Sequence, residues 1–309
     1  MEKPLFNPFE TAHFSGCRLA LFVLAITLLS AMPLFAEQRP ETNPSYTVEK
    51  VTDGVFAALF KPGGNTSSNA FFVVGESYVI AGSAHLTAEA IRDLEAIVNQ
   101  TTGLPIRYFI LTHHHRGYTH IDFDFPPDKE VIMTWQTWQG IAGEKREPDF
   151  PVIFFQEGLT LRLGEHTLIL SNLNRGHTEG DLLVYIPEVE TIFTGDLFYN
   201  GTVGYLGEGF MQEWVFALEM MLGLDAKHVI PGQGAVATNK ELAGYLTFLR
   251  AFLTEILQHI EKGDSLKETL KTFSLPTYEN MDGFQQFLTI NIQRAYEQLK
   301  NVIGKKPDT

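Results

Sequence analysis

The 309-residue sequence predicts an α+β domain, α/β and four-layered in arrangement, with two sheets packed together and helices outside. Three observations predict it. Short apolar strand patterns run in two series, from Tyr46 to Gly82 and from Val131 to Phe198. Helical periodicity follows each series, and neither a linker nor a short-period repeat divides them. Such sheets must bury both faces, and packing them together under outer helices achieves it.

The elements follow in order. Arg18 precedes an apolar run from Leu19 to Ala31, and Met32-Pro-Leu-Phe-Ala36 ends on a small residue before polar Glu37. That is the layout of a secretory signal peptide over residues 1–36, cleaved after Ala36, with a periplasmic or secreted product. An uncleaved N-terminal membrane anchor is the alternative, since the apolar stretch approaches spanning length. Pro33 and the polar Glu37-Gln38-Arg39-Pro40 favour cleavage, after which no stable membrane association is expected. Cys17, the one cysteine, precedes the apolar run, so the mature chain has no thiol and must hold any metal through nitrogen and oxygen. A net charge of -14 argues against nucleic acid and against anionic lipid.

Residues 37–309 read as a single domain that opens with a polar arm. Strands are expected at Tyr46–Thr52, Val55–Phe60, Ala70–Val74 and 78–80, separated by turns such as Asp53-Gly54 and Pro62-Gly63-Gly64-Asn65. Thr87 suits the N-cap of an amphipathic helix to Val98. A strand at Ile106–Leu111 follows, and later ones at 159–163, 166–170, Leu182–Ile186 and 191–194. Helices are expected from Glu213 to Leu222, from Lys240 to about Ile260 and on to about Val302, so that C-terminal helices fill about 240–303. Trp135 and Trp138 share one helical face suited to core packing. The Gly-rich, aromatic stretch from Phe198 to Phe210 suits a loop bordering a pocket.

Chemistry concentrates at strand ends. The strand to Leu111 runs into Thr112-His113-His114-His115-Arg116-Gly117-Tyr118-Thr119-His120. His113 and His115, at i and i+2, share one side of an extended backbone. His177 sits in the Gly-flanked loop Arg175-Gly176-His177-Thr178-Glu179-Gly180-Asp181, and Asp196 in Thr194-Gly195-Asp196-Leu197-Phe198. Three histidines around an open fourth position hold a hydrolytic zinc and acidify its water to a pKa near about 7. Taken singly, the histidine run also fits a solvated loop, and Asp196 a turn former or helix cap. Only in combination do they point to a metal.

These segments resemble the metallo-β-lactamase superfamily over nearly the whole mature chain. Ser68-Asn69-Ala70 and the apolar residues after it are similar to the family's early strand, and Thr112-His113-His114-His115 to the start of its Thr-His-x-His-x-Asp-His motif. The His177 loop is similar to the third-histidine loop, the Asp196 segment to the bridging aspartate, and Val229-Ile-Pro231-Gly232-Gln233-Gly234 to the Pro-Gly-His-Gly segment. The resemblance implies an αββα sandwich of zinc-hydrolase ancestry, with His113, His115, His177 and Asp196 as metal ligands. Asp196 would also be the catalytic residue that orients the attacking water or takes its proton.

The departures fall on one half of the site. Gly117 and Tyr118 stand where the family has its aspartate and histidine ligands, and Gln233 where it has its last histidine. The resemblance therefore implies a degenerate second metal site and one ion. A supporting aspartate is replaced by Ala81. Tyr118 and His120 are the potential replacement ligands. His120, Asp122 and Asp124 alternate and would share a strand face, although an ordinary amphipathic strand has the same pattern. His114 is expected to point away from the metal, and His85, His166, His228 and His259 have no partner motif. The expected function is an exported, β-lactamase-like hydrolase in which one zinc-bound water attacks an ester, amide, lactam or thioester bond of a small molecule. The alternative is a non-catalytic binding protein of the same fold, with no metal or one structural ion. Iron or redox chemistry through Tyr118 is a third possibility.

Overall fold

The computed structural model describes residues 45–83, 87–114, 128–142 and 150–304. The signal segment with Cys17, and His85, His115, Gly117, Tyr118, His120, Asp122 and Asp124, lie outside the described residues.

Two sheets face each other. The first runs in the order β1 (Tyr46–Thr52), β2 (Val55–Phe60), β3 (Ala70–Val74), β4 (Val79–Ser83), β5 (Ile106–Leu111), β6 (Glu130–Thr134), β7 (Val152–Phe155). Its first four strands pair antiparallel and the last three join in parallel. The second sheet has the order β12 (His228–Ile230), β11 (Thr191–Phe193), β10 (Leu182–Ile186), β9 (His166–Asn172), β8 (Gly158–Leu163). All its pairs are antiparallel except β11 with β12. The two strand series of the sequence do not correspond to the two sheets, because β6 and β7 extend the first sheet.

Period-two alternation builds the layers. Phe71, Val73, Ile80, Ile110 and Ile132 point to the seam between the sheets, where they meet Leu168, Leu170, Leu182, Val184 and Phe193. Phe71 and Phe193 stack across that seam with ring centroids 4.6 Å apart. The alternate residues Phe72, Ala81, Phe109 and Met133 face outward, under helix α1 (Ala88–Thr102) and Ile141 of α2 (Trp135–Ala142). Leu183, Ile192 and Val229 face the other way, beneath α3 (Met211–Leu222), α4 (Asn239–Lys262) and α6 (Phe284–Gly304). A short α5 (Leu266–Thr272) lies between α4 and α6 in the chain. The result is the αββα sandwich. Each fully buried Leu, Ile, Val or Phe in these layers contributes about 1.5–3 kcal/mol.

Local signals hold at the helix ends. The Thr87 hydroxyl accepts from the Ala90 amide at 3.0 Å, and Gly103 closes α1 at φ 72°. Trp138 is half-buried and packs against the outer apolar layer beneath α1, as core packing requires, while Trp135 stays half-buried at its edge. They pack on Phe154, 49% exposed, at the edge of the first sheet, with centroids 4.7 and 6.1 Å from its ring.

Candidate metal centre

The chain brings His113, His177 and Asp196 together at one end of the seam. The described residues contain one such group, whose ligand atoms all lie within 4.8 Å of one another. His113 follows β5 directly. Its neighbour Thr112 is tied to both sheets: the Thr112 amide donates to Ser83 of β4, and its carbonyl accepts from Leu182 of β10 at 2.9 Å. The Thr112 hydroxyl lies 3.3 Å from His113 Nδ1.

His177 rides on a self-braced loop. The Asp181 carboxylate accepts from the Thr178 amide at 3.0–3.1 Å and from the Thr178 hydroxyl at 2.6 Å. The Gly180 carbonyl accepts from Thr134 and Thr137 at the start of α2, at 2.9 and 3.2 Å. Gly180 has φ +92°, and a Cβ there would stand 2.7 Å from both Gln136 and Thr134, so the glycine is required twice over. On the other side, Phe210 donates its amide to the Gly176 carbonyl at 2.7 Å.

Asp196 occupies a 3-10 turn, Gly195–Leu197, just past β11. The Ser68 hydroxyl lies 3.3 Å from its Oδ1 and 3.1 Å from the Gly232 carbonyl. A Cβ at Gly232 would collide with the same carboxylate oxygen, which accounts for a glycine in that segment. Asn69 fastens the segment further, donating to the carbonyls of Pro231 at 3.0 Å and Gly234 at 2.8 Å.

The donor set fits a divalent metal. His113 and His177 each present Nε2 towards Asp196 Oδ2, at 3.9 and 3.8 Å, from side chains only 2% and 1% exposed, facing a carboxylate that is 3% exposed. Tetrahedral coordination with bonds of about 2.0–2.1 Å separates its donors by about 3.4 Å, so this set, whose ligand atoms lie within 4.8 Å of one another, would close on an ion with shifts of less than about 1 Å per side chain. Two imidazoles and a carboxylate, with no sulfur, are also a zinc-type donor set.

Two residues that the sequence analysis did not name individually pack on His177. Tyr199 places its hydroxyl 3.5 Å from His177 Nδ1. Burial, reinforced by the charge of Asp196, pushes the Tyr199 phenol well above its ordinary range, so it stays protonated. Trp214 of α3 sets its ring edge-on to His177, with centroids 5.1 Å apart, and its indole donates to the Leu197 carbonyl at 2.8 Å. Groups of this kind orient metal ligands and tune their basicity. For Tyr199 a signal existed: it lies in the aromatic stretch 198–210 that follows Asp196. For Trp214 there was none.

The other expectations resolve individually. His114 lies outside the ligand group and lines a separate recess of about 740 Å3 with Gln136, Thr137, Thr178, Glu208 and Phe210. Part of the 198–210 segment thus does border a pocket. The Gln233 amide nitrogen donates to the Ser67 carbonyl at 3.0 Å, fastening two loops. Ala81 packs in the apolar layer beneath α1, where an aspartate would need a partner. His259 has a partner after all, as its Nδ1 lies 2.7 Å from Asp264.

A family model of the metallo-beta-lactamase superfamily matches residues 116–233, a span that includes His177, Asp196 and Gln233. Among solved structures, a metallo-beta-lactamase from Pontibacter korlensis is 19% identical with a TM-score of 0.57, covering 66% of this chain and 99% of its own. The DIM-1 metallo-beta-lactamase is 21% identical with a TM-score of 0.57, covering 67% of this chain and 98% of its own. At these identities the neighbours show a shared fold. The family match over 116–233, which carries His177 and Asp196, and the αββα layers with a buried histidine–aspartate group at their seam make this chain similar to the metallo-beta-lactamase superfamily in fold and in these segments.

Proposed function

We propose that this chain is an exported hydrolase that works with one zinc ion, held by His113, His177 and Asp196 and completed by His115. The observation that carries this reading is the convergence of the first three side chains, all buried, within 4.8 Å of one another. Zinc bound there would supply Lewis acidity and a water acidic enough to attack the carbonyl of a small-molecule ester, amide, lactam or thioester. His113 and His177 would hold the ion, and the Tyr199 and Trp214 rings pack edge-on to His177 and so restrict its plane. Asp196, steadied by Ser68, would orient the attacking water or take its proton. Gln233 is engaged with Ser67 as a loop fastener, which supports a single-ion reading. Export rests on the signal-like residues 1–36 and is tested by fractionating cells that express the full chain. The charge of -14 supports a small-molecule substrate over nucleic acid.

The test is metal analysis of the purified protein beside its His115→Ala variant, with ester and lactam turnover measured on both. About one zinc per chain, lost in the variant together with turnover, is the expected result. Metal-free protein whose thermal stability is unchanged in the variant would overturn the proposal in favour of a non-catalytic binding protein. Two tightly bound ions would overturn the single-ion part, with His120 the first replacement ligand to substitute.

A further inference from the structure

Helix α6 carries three polar side chains along one face, Asn291, Arg294 and Gln298, at the spacing i, i+3, i+7. All three bond to the backbone of one segment, 204–211, which leads from the turn of Asp196 into the start of α3. Asn291 accepts from the Leu206 amide at 2.7 Å and donates to the Gly204 carbonyl at 3.0 Å. Arg294 donates from Nε to the Gly209 carbonyl at 2.8 Å and from Nη2 to the Glu208 carbonyl at 3.0 Å. Gln298 accepts from the Met211 amide at 3.0 Å. Their neighbours Ile292, Ala295 and Leu299 enter the apolar layer, and Asn291 is itself 0% exposed. Polar groups in such a place are costly to leave unpaired, so each one specifies where the backbone of the segment must run.

Arg294 acts where apolar anchors are missing. Val203, Leu206 and Met211 sink into the core, but between Leu206 and Met211 no side chain is buried. The Arg294 fork grips that interval, and its guanidinium carbon lies 5.3 Å from the centroid of the Phe210 ring. Arg175, on the His177 loop, approaches the same ring at 4.8 Å. Phe210 passes the constraint on. Its amide donates to the carbonyl of Gly176, the residue before His177, and its carbonyl accepts from the Trp214 amide at 2.8 Å. The Trp214 ring in turn packs on His177.

From this chain of contacts we infer that Arg294 is a positioning residue for the metal centre: by fixing residues 208–210 it sets the His177 loop at ligating distance from His113 and Asp196. The inference rests on the reading of those three side chains as metal ligands. Arg294 touches none of them and acts through Phe210. A purely structural arginine would lower stability and leave metal affinity alone, whereas groups that orient a ligand change its affinity.

The experiment compares the purified wild-type protein with Arg294→Met, which keeps an unbranched apolar stem and loses both carbonyl bonds, and with Tyr296→Phe. Tyr296 lies on the same helix, and its hydroxyl donates to the Asp264 carbonyl at 2.7 Å, so its loss reports a general weakening of α6. Cobalt(II) is the probe. Competition with a chelator reads its affinity, its d–d absorption bands read the ligand geometry, and NMR follows the His177 ring resonances in metal-free protein. Arg294→Met is expected to weaken cobalt binding at least about tenfold, alter the bands and shift the His177 resonances. Tyr296→Phe is expected to lower Tm with all three readouts unchanged. Should Arg294→Met not fold, Arg294→Lys, which keeps the charge without the rigid fork, replaces it with the same expected direction. Unchanged cobalt affinity and His177 resonances in the Arg294 variant, or equal changes in Tyr296→Phe, overturn this inference alone. Wild-type protein that binds no cobalt overturns the ligand reading, and this inference with it.

Discussion

Replacing Trp214 with phenylalanine asks whether the metal-ligand loops depend on helix α3. The indole is fully buried, and its ring lies edge-on to His177 while its N–H donates to Leu197, the residue after Asp196. One side chain thus touches both ligand-bearing segments of the second sheet. Phenylalanine removes the donor and leaves the Leu197 carbonyl short of its partner, at a cost of about 1–3 kcal/mol. The smaller ring also leaves a void of a few tens of Å3, which at about 24 cal/mol per Å3 adds roughly 1 kcal/mol. A loss of roughly 2–4 kcal/mol is therefore expected in urea unfolding monitored by circular dichroism. Because the groups that orient a ligand tune its affinity, zinc binding measured against a competing chelator should weaken about 10–100-fold. Trp135→Phe, half-buried beside exposed Phe154, is the control and should stay within about 0.5–1 kcal/mol of wild type with metal affinity unchanged. If Trp214→Phe unfolds within about 0.5 kcal/mol of wild type and binds zinc equally well, the argument that α3 positions the site is wrong.

Three further outcomes follow from the same geometry. Gly180→Ala combines a φ of +92° with contacts at 2.7 Å and should cost at least about 3 kcal/mol in urea unfolding, with metal affinity falling in parallel. Asp196→Asn keeps the shape of the buried carboxylate but removes its charge, and should weaken zinc binding on the order of a hundredfold or more in chelator competition; unchanged affinity would show that Asp196 is not a ligand. Burial, opposed in part by a hydrogen bond with Thr66, pushes the Tyr46 phenol from 10.0 up to about 12. A pKa that is higher in the folded state favours the protonated native form. That stabilisation is complete below pH 10 and is lost as pH rises to about 12, roughly 2–3 kcal/mol in all. Tyr46→Phe should flatten the alkaline arm of a stability–pH profile, and an unaltered slope would contradict the burial argument.

Much of the fold was legible because local patterns bound its elements. Val55–Phe60, Ala70–Val74, Ile106–Leu111 and Leu182–Ile186 have the expected limits, since each is an apolar run closed by turn residues or polar loops. The Thr87 cap was legible for the same reason. What alternation cannot encode is the neighbour of a strand. The parallel pairing that assigns β6 and β7 to the first sheet joins segments far apart in the chain, and nothing in 131–134 or 152–155 marks it. The site divides similarly. His113, His177 and Asp196 were visible as strand-end residues in glycine-flanked or histidine-rich loops. The contacts of Trp214 with His177 and of Gln233 with Ser67 form only once distant loops meet.

The seam carries a further consequence. His113 belongs to the end of a first-sheet strand, whereas His177 and Asp196 hang from the second sheet. An ion gripped by all three is a cross-link that closes the long loop between residues 113 and 177 and shrinks the conformational freedom of the unfolded chain, as a disulfide does. The chain has no cysteine other than Cys17 with which to make a covalent staple. Metal loading would then set how long the two halves of the sandwich stay together, so the lifetime of the native state, and not only its chemistry, would follow the zinc supply of the compartment.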